Sequence, residues 1–383
     1  MKFSCTTSDL LQALQLVSRA ISGQQALPIL GNVLLEAEGK RCTISATDLE
    51  LSIVTSIEAD IENEGAITVP AKAFLNFAQY NSDDRVLLET SEGTQLKCTS
   101  TQAKTVIAGE TAQEYPTIST IKKEQAFSFD VEPLLEALHF VTFASAKTTL
   151  RPVLSGVYIR EEKGNLVFVA TDSYRLSEIS IPTNSAGGEI SCIVPTKVLE
   201  ELRNILGAHK SDSKKGDKKD SETETKKIDV VLSNQQIEVH IGQTTLLSRL
   251  IEGKFPDYQQ IIPKDNSTVS VLPTKELVTT VKRMHYFAKE ANNNLTFKLS
   301  KESVHIATPQ TQAGQDETTL AAGVSGEDNK IALSSSYLLD FLGHVDCPEL
   351  EMHLTDSMHP AVFRIPGNDR FLHLIMPLRI QED

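Results

Sequence analysis

Near the amino terminus, apolar residues recur first with helical spacing and then in alternation, and the same succession returns twice further along. Leu10, Leu11, Leu14, Val17 and Ile21 fall three or four apart behind Thr7-Ser8-Asp9, a segment able to cap a helix through a side-chain oxygen. The opposite face, Gln12, Gln15, Ser18 and Arg19, is polar with one cation. Equivalent stripes start at Glu132 (Leu134, Leu135, Leu138, Val141) and at Lys275 (Leu277, Val278, Val281, Met284). A second set of stripes covers Ala71 to Tyr80, Thr196 to Leu206 and Ser335 to Leu342. Between the helices, runs such as Cys42-Thr-Ile-Ser-Ala, Leu166-Val-Phe-Val-Ala and Val304-His-Ile-Ala predict antiparallel strands with one buried face. The pattern predicts an α+β chain of three similar domains, each an antiparallel sheet with two helices on one side.

Landmarks at matching offsets support a triplication. Phe3-Ser-Cys-Thr-Thr-Ser-Asp-Leu-Leu, Phe127-Ser-Phe-Asp-Val-Glu-Pro-Leu-Leu and Val269-Ser-Val-Leu-Pro-Thr-Lys-Glu-Leu open the copies. Strand pairs end near Ala46-Thr-Asp, Ala170-Thr-Asp and Ala307-Thr-Pro, and strand-to-helix junctions follow at Val69-Pro-Ala-Lys, Val194-Pro-Thr-Lys and Leu333-Ser-Ser-Ser. From the first copy to the second each landmark moves by 124 or 125 positions, and from the second to the third by about 137 to 142. The second copy therefore carries extra residues. They lie at His209 to Lys227, a charged run without a large apolar side chain, which cannot offset the entropy of ordering and reads as an exposed, disordered loop insertion. A contact with nucleic acid or a partner is the other reading of that run. The expected domains are 1–121, 122–263 and 264–383.

The 383 residues are 40% hydrophobic, with no apolar run of membrane-spanning length. Five scattered cysteines without a Cys-x-x-Cys argue against a disulfide framework or a zinc cluster. Together with an opening, Met1-Lys-Phe-Ser-Cys, that lacks a signal-peptide pattern, they point to the cytoplasm. A net charge of −14 argues against a protein that grips nucleic acid by bulk electrostatics. Any such contact has to be local, on a face where lysines gather.

Enzyme chemistry finds little support. His353, Asp356 and His359 fit neither a helical His-x-x-x-His face nor a zinc spacing, so a metal-dependent hydrolase is the weakest reading. Ser173 beside Asp172 lacks the Gly-x-Ser-x-Gly turn of a nucleophile, and Asp172 is expected to fix a local turn through its side chain. No cofactor motif appears.

Leu27-Pro-Ile-Leu-Gly-Asn, Ala46-Thr-Asp-Leu-Glu, Ala170-Thr-Asp-Ser-Tyr-Arg-Leu, Gly253-Lys-Phe-Pro-Asp-Tyr, Leu354-Thr-Asp-Ser and Met376-Pro-Leu-Arg-Ile occur in an order and spacing that resemble the bacterial DNA polymerase III beta subunit family, the replicative sliding clamps. The resemblance covers the chain apart from the insertion. It implies a non-enzymatic homodimer: two three-domain chains closed head to tail into a ring around duplex DNA, with helices lining the hole. Repeated units joined head to tail form an open string or a closed ring, and a mildly basic lining inside an acidic exterior reconciles −14 with DNA. The family pattern puts lining cations at Lys72 and Lys197, and helix position adds Arg19, Arg203, Lys282 and Arg283. Gln24 stands in a loop where some members carry an arginine.

The resemblance also implies a pocket for short motifs of the DNA polymerase III alpha subunit, the clamp loader, other polymerases and repair proteins. The matching positions are Leu154, Thr171, Ser173, Tyr174, Arg175, Leu176, Pro256, Gln260, Ile261, Ser334, Tyr337, Pro360, Leu374, Met376, Pro377, Leu378 and Arg379. Leu154, Leu176, Ile261, Leu374, Met376 and Leu378 can form an apolar well for leucine and aromatic anchors. Ser173-Tyr174 replaces a glycine-histidine pair of some clamps, and Gln260 stands where an arginine can occur. For ring closure the family suggests Lys104 to Ile107 against Tyr286 and Phe287. A monomeric peptide-binding scaffold without ring closure is the alternative.

Overall fold

The computed structural model describes residues 1–23, 27–91, 94–121, 125–148, 150–183, 190–212 and 227–379. They form two compact units: one from the described residues of Met1–Val131 and Glu201–Leu250, the other from those of Glu132–Asn184, Glu189–Glu200 and Ile251–Asp383. Six α-helices stand among them: α1 (Thr7–Val17), α2 (Ala71–Tyr80), α3 (Val131–Val141), α4 (Thr196–Asp212), α5 (Thr274–Ala288) and α6 (Ser335–Leu342).

Each helix follows a strand directly and precedes a three-strand antiparallel meander. After α1 come Asn32–Glu38, Arg41–Thr47 and Leu51–Glu58; after α3, Gly156–Glu162, Asn165–Thr171 and Arg175–Pro182; after α5, Asn294–Ser300, Ser303–Ala307 and Glu317–Ala321. The even-numbered helices lead into Arg85–Ser91, Gln95–Thr99 and Lys104–Ala108; Lys227–Leu232, Gln236–Ile241 and Thr244–Arg249; and Glu349–Leu354, Ala361–Ile365 and Asn368–Ile375. Each repeat thus contributes its strands to two sheets. The strand before its odd-numbered helix pairs with the meander after its even-numbered helix, as Lys2–Thr6 does with Arg85–Ser91. Such exchange between distant segments is invisible to local periodicity.

The third strands carry the sheets from one repeat into the next. Thr244–Arg249 pairs antiparallel with Leu51–Glu58 inside unit one, giving an eight-stranded sheet. Asn368–Ile375 pairs in the same way with Arg175–Pro182 inside unit two, giving a nine-stranded sheet. Two third strands remain at sheet edges: Lys104–Ala108 in the five-stranded sheet of unit one and Glu317–Ala321 in the four-stranded sheet of unit two.

Helix faces follow the expected stripes, with small shifts at the ends. The cap of α1 is Thr6, whose hydroxyl accepts the Asp9 N–H at 3.2 Å, and Ile21 lies beyond the helix because Ser18–Ala20 tighten into a 3-10 turn. Leu10, Leu14 and Val17 are buried, as are Leu277, Val281 and Met284 on α5. The largest revision is at α4. The helix continues through Asp212, so the first four residues assigned to the insertion are helical, while 213–226 lie outside the described residues.

Candidate functional site

In unit two, Asp172 builds the turn between Asn165–Thr171 and Arg175–Pro182. Its Oδ1 accepts the N–H groups of Tyr174 (2.9 Å) and Arg175 (3.0 Å). The Thr171 hydroxyl donates to the Arg175 carbonyl at 2.6 Å and accepts the Ser173 N–H at 3.1 Å. These side chains hold Ser173 in the left-handed region at φ 80°, which serine rarely adopts unaided. Tyr174 is thereby turned outward and Arg175 inward.

Buried Arg175 is compensated from several directions. Nε donates to Asp172 Oδ2 at 3.1 Å and Nη1 to Asp340 Oδ2 at 2.8 Å, while the guanidinium sits 4.8 Å from the Tyr337 ring centre and 5.7 Å from that of Phe143. A buried cation with two carboxylates and two ring faces is held in one geometry. The exposed Tyr174 ring lies parallel to Tyr337, 6.3 Å between centres. Burial, then the neighbouring Asp172 charge, raises the Tyr337 phenol pKa and keeps it protonated. Arg175 thus serves to position the turn and α6, since its own side chain is enclosed.

Beside the turn lies an apolar cluster: Leu154, Val167, Val169, Leu176, Ile193, Phe255, Tyr258, Val362, Leu372 and Leu374, with Met376 and Ile262 packed against it. Four of the six residues expected in the well are therefore together: Leu154, Leu176, Leu374 and Met376. Ile261 is 40% exposed and its neighbour Ile262 packs inward instead, because a 3-10 turn at Tyr258–Ile261 rotates the chain there. Leu378 stays half-buried, its N–H donating to the Ala332 carbonyl at 2.7 Å.

Phe255 and Tyr258 were missed as well residues, although the Gly253-Lys-Phe-Pro-Asp-Tyr motif contains both. Tyr258 donates to Glu178 and accepts from Arg160 Nη2 at 2.9 Å, and burial, then Glu178, pushes its phenol pKa up. Val167 and Val169 were legible in the alternation of Leu166-Val-Phe-Val. Among the remaining positions, Pro256 and Gln260 are exposed, Pro377 is half-buried, Pro360 is buried, and Gln260 Nε2 donates to Asp257 at 2.6 Å. Ser334 caps α6, accepting the Tyr337 N–H at 3.5 Å. Arg379 is exposed, and its carbonyl accepts from Asn294 Nδ2 at 3.4 Å.

The cations expected to line a hole divide into two kinds. Lys72, Lys197 and Lys282 are exposed near helix starts or on a helix face, and Arg203 is half-buried. Arg19 is paired with Glu201 at 3.1 Å, and Arg283 holds Asp316 through two hydrogen bonds of 2.7 and 3.2 Å and also donates to Thr318. These two arginines have part of their charge answered inside their own unit. Gln24 lies outside the described residues.

Within the span Lys104 to Ile107 expected at a ring contact, on the edge strand Lys104–Ala108, only some side chains face outward. Ile107 is 5% exposed, opposite Leu96 in the core, whereas Val106 is 50% exposed, because successive strand side chains alternate faces. Lys104 is exposed too. Tyr286 is exposed and its ring meets half-buried Phe287 edge-on at 5.3 Å. His353 pairs with Glu351 and His359 with Asp356, each at 2.9 Å, so of the three residues weighed as a metal or acid-base set only Asp356 and His359 are paired with each other.

The chain and its architecture have counterparts among known proteins. Three sequence families match consecutive stretches: DNA polymerase III beta subunit, N-terminal domain (1–119), central domain (129–257) and C-terminal domain (259–379). The beta sliding clamp of Synechocystis sp. is 29% identical over 99% of this chain and 100% of its own, and that of Bacillus subtilis 27% over 99% and 100%. The crystal structure of the Bacillus subtilis DNA polymerase sliding clamp superposes with a TM-score of 0.91 at 26% identity, covering 100% of both chains. A Pseudomonas aeruginosa sliding clamp bound to griselimycin gives 0.89 at 27% identity over 99% of this chain and 100% of its own.

Proposed function

The chain belongs to the DNA polymerase III beta subunit family, the sliding clamps that act as processivity factors in DNA replication, and we propose that two copies close head to tail into a ring around duplex DNA. One observation carries this reading. Twice within the chain, the third strand of an even-numbered helix's meander pairs with the third strand of an odd-numbered helix's meander in the preceding repeat. The same rule leaves one unused strand of each kind, Lys104–Ala108 and Glu317–Ala321, both at sheet edges. A second copy satisfies both, and a closed ring removes the exposed edges. Lys104 on one strand and Glu317 on the other suit each other in charge, and Val106 supplies apolar surface.

A ring retains DNA by topology, so it needs few phosphate contacts and gains mobility from weak ones. Lys72 and Lys282 suit that role better than the paired Arg19 and Arg283, and exposed Lys197 stands at the start of α4. The chain itself acts as a cytoplasmic accessory subunit without a catalytic site. Among its described residues no helix is long and apolar enough to cross a membrane. Polymerase and other replication or repair partners dock through leucine and aromatic anchors on the cluster of Leu154, Leu176, Leu374 and Met376, beside the Tyr174–Tyr337 shelf.

Light scattering at micromolar concentration should give about twice the 42.0 kDa chain mass. A mass near one chain would leave the monomeric scaffold instead. Replacing Met376 and Leu378 by alanine should weaken a leucine-phenylalanine motif peptide at least about tenfold, with the dimer mass retained. Unchanged affinity would refute the pocket.

A further inference from the structure

Unit one holds a second copy of the frame that carries the partner cluster in unit two. Asp48 Oδ1 accepts the N–H groups of Glu50 (3.1 Å) and Leu51 (2.8 Å), as Asp172 does in its own turn. The Thr47 hydroxyl donates to the Leu51 carbonyl at 3.1 Å and accepts the Leu49 N–H at 3.0 Å, with Leu49 at φ 76°. Arg249 N–H donates to the Glu50 carbonyl at 3.2 Å, just as Met376 N–H donates to that of Tyr174 at 2.8 Å. A cavity of about 260 Å³ opens at this frame, between the turn, the end of Thr244–Arg249 and residues 116–119.

Strand register shows what has been exchanged. Leu176 opposite Leu374 becomes Ser52 opposite Leu247, and Ile375-Met376 becomes Ser248-Arg249. Val362, the other neighbour of Leu374, becomes buried Glu238, the other neighbour of Leu247, whose carboxylate holds His240 at 2.9 Å and the Ile121 N–H at 2.8 Å. The cavity wall itself includes Thr47, Ser52, Gln236 and Ser248, and a leucine or aromatic anchor pressed against it would strip water from polar groups without replacing their hydrogen bonds. Arg249, by contrast, is exposed and stands in no ion pair among the described residues. Its guanidinium is free to take a carboxylate through two hydrogen bonds. Leu49, 48% exposed, and half-buried Ile118 offer aliphatic contact on either side. Exposed Glu50 on the rim repels a second carboxylate.

We propose that this cavity is a second partner site, which takes an extended peptide segment bearing one acidic residue between aliphatic ones. It rests on the repeated frame and on Arg249, and does not depend on ring closure or on the apolar site.

The test is methyl NMR on the full chain, titrated with acetyl-Gly-Val-Asp-Val-Gly-amide and with its Asp→Asn counterpart. The acidic peptide should shift the Leu49, Ile118 and Leu247 methyls with a dissociation constant on the order of millimolar, and the Asn peptide should bind at least about tenfold more weakly. Arg249→Glu should abolish the shifts, whereas Glu50→Gln should tighten binding about twofold, the modest gain expected at an exposed rim. Both positions are exposed, and unchanged methyl spectra away from the cavity verify the fold of each variant. Absence of shifts, shifts confined to Leu176 and Leu374, or shifts indifferent to Arg249→Glu would each overturn the proposal.

Discussion

The two internal sheet junctions share a hydrogen-bonding plan and differ in what is packed around it. At the junction in unit one, the hydroxyls of Thr55 and Thr244 meet at 3.1 Å, and at the matching register in unit two Ile179 faces Phe371. On the helix side of unit one, a cavity of about 460 Å³ is lined by Gln15, Leu16, Arg19, Asn204 and Ile205. The corresponding space in unit two is filled by rings. Phe143 stacks on His344 at 4.2 Å, Phe140 meets Phe371 at 4.5 Å, and His139 lies 4.8 Å from His344. Since the ladder is common to both, a difference in stiffness has to come from side-chain packing: buried Leu246 and Ile53 beside an open cavity at the first junction, closely spaced rings at the second. This packing predicts that the junction bearing the proposed partner cluster is the more rigid one, as a preorganised anchor site requires.

Breaking the rigid junction should have the largest effect. Phe371 is fully buried against Phe140 and Phe341, so Phe371→Ala is expected to cost about 3–5 kcal/mol. Amide hydrogen exchange in Arg175–Pro182 and Asn368–Ile375 should then rise by two orders of magnitude or more. A change below tenfold would mean that the rings do not stiffen the junction.

Acidification should separate the junctions next. Buried His373 accepts from or donates to the Ser177 hydroxyl at 2.7 Å and stacks on Phe341 at 4.3 Å, and its Nε2 has no partner among the described residues. Burial, then the Arg175 charge, then His344 hold its pKa well below the ordinary value, so the folded state keeps it neutral. An unfolded histidine titrates near about 6.5, so the stabilising contribution is complete above that pH. It is lost as the pH falls below it, by up to about 1.4 kcal/mol per unit. The matching register in unit one pairs Leu246 with Ile53, which do not titrate. Protection factors, with the slower intrinsic exchange at lower pH divided out, should therefore fall from pH 7 to 5 in Asn368–Ile375 and not in Thr244–Arg249.

The smallest effect is expected at the looser junction. Thr244→Val removes one partner of a buried hydroxyl pair and should cost about 1 kcal/mol, while the Thr55→Val, Thr244→Val double variant should recover most of it. Urea unfolding of the two variants against the parent chain is the measurement. Equal losses in the single and double variants would show that the hydroxyl pair is not coupled.

Much of the molecule was legible before any coordinates. Periodic stripes located the six helices of the described residues within a few residues except at the far end of α4, and the Ala-Thr-Asp landmarks marked turns whose construction repeats in the first two copies. Residue-level facing was harder to read. Ile107 and Val106, or Ile261 and Ile262, are adjacent and similar in hydrophobicity, so composition cannot tell which one the backbone turns inward. Arg19 and Arg283 looked like free cations because Glu201 and Asp316 are 182 and 33 positions away.

By itself the sequence determined the repeat, the strand and helix order and the families of residues that gather at each junction, because these depend on short-range periodicity and on side-chain type. Only the tertiary structure decided how each repeat shares its strands between two sheets, which edges remain unpaired, and which junction is filled by rings and which is left open. Those outcomes follow from pairing and packing between segments far apart in the chain, where register and volume, not local propensity, select one arrangement.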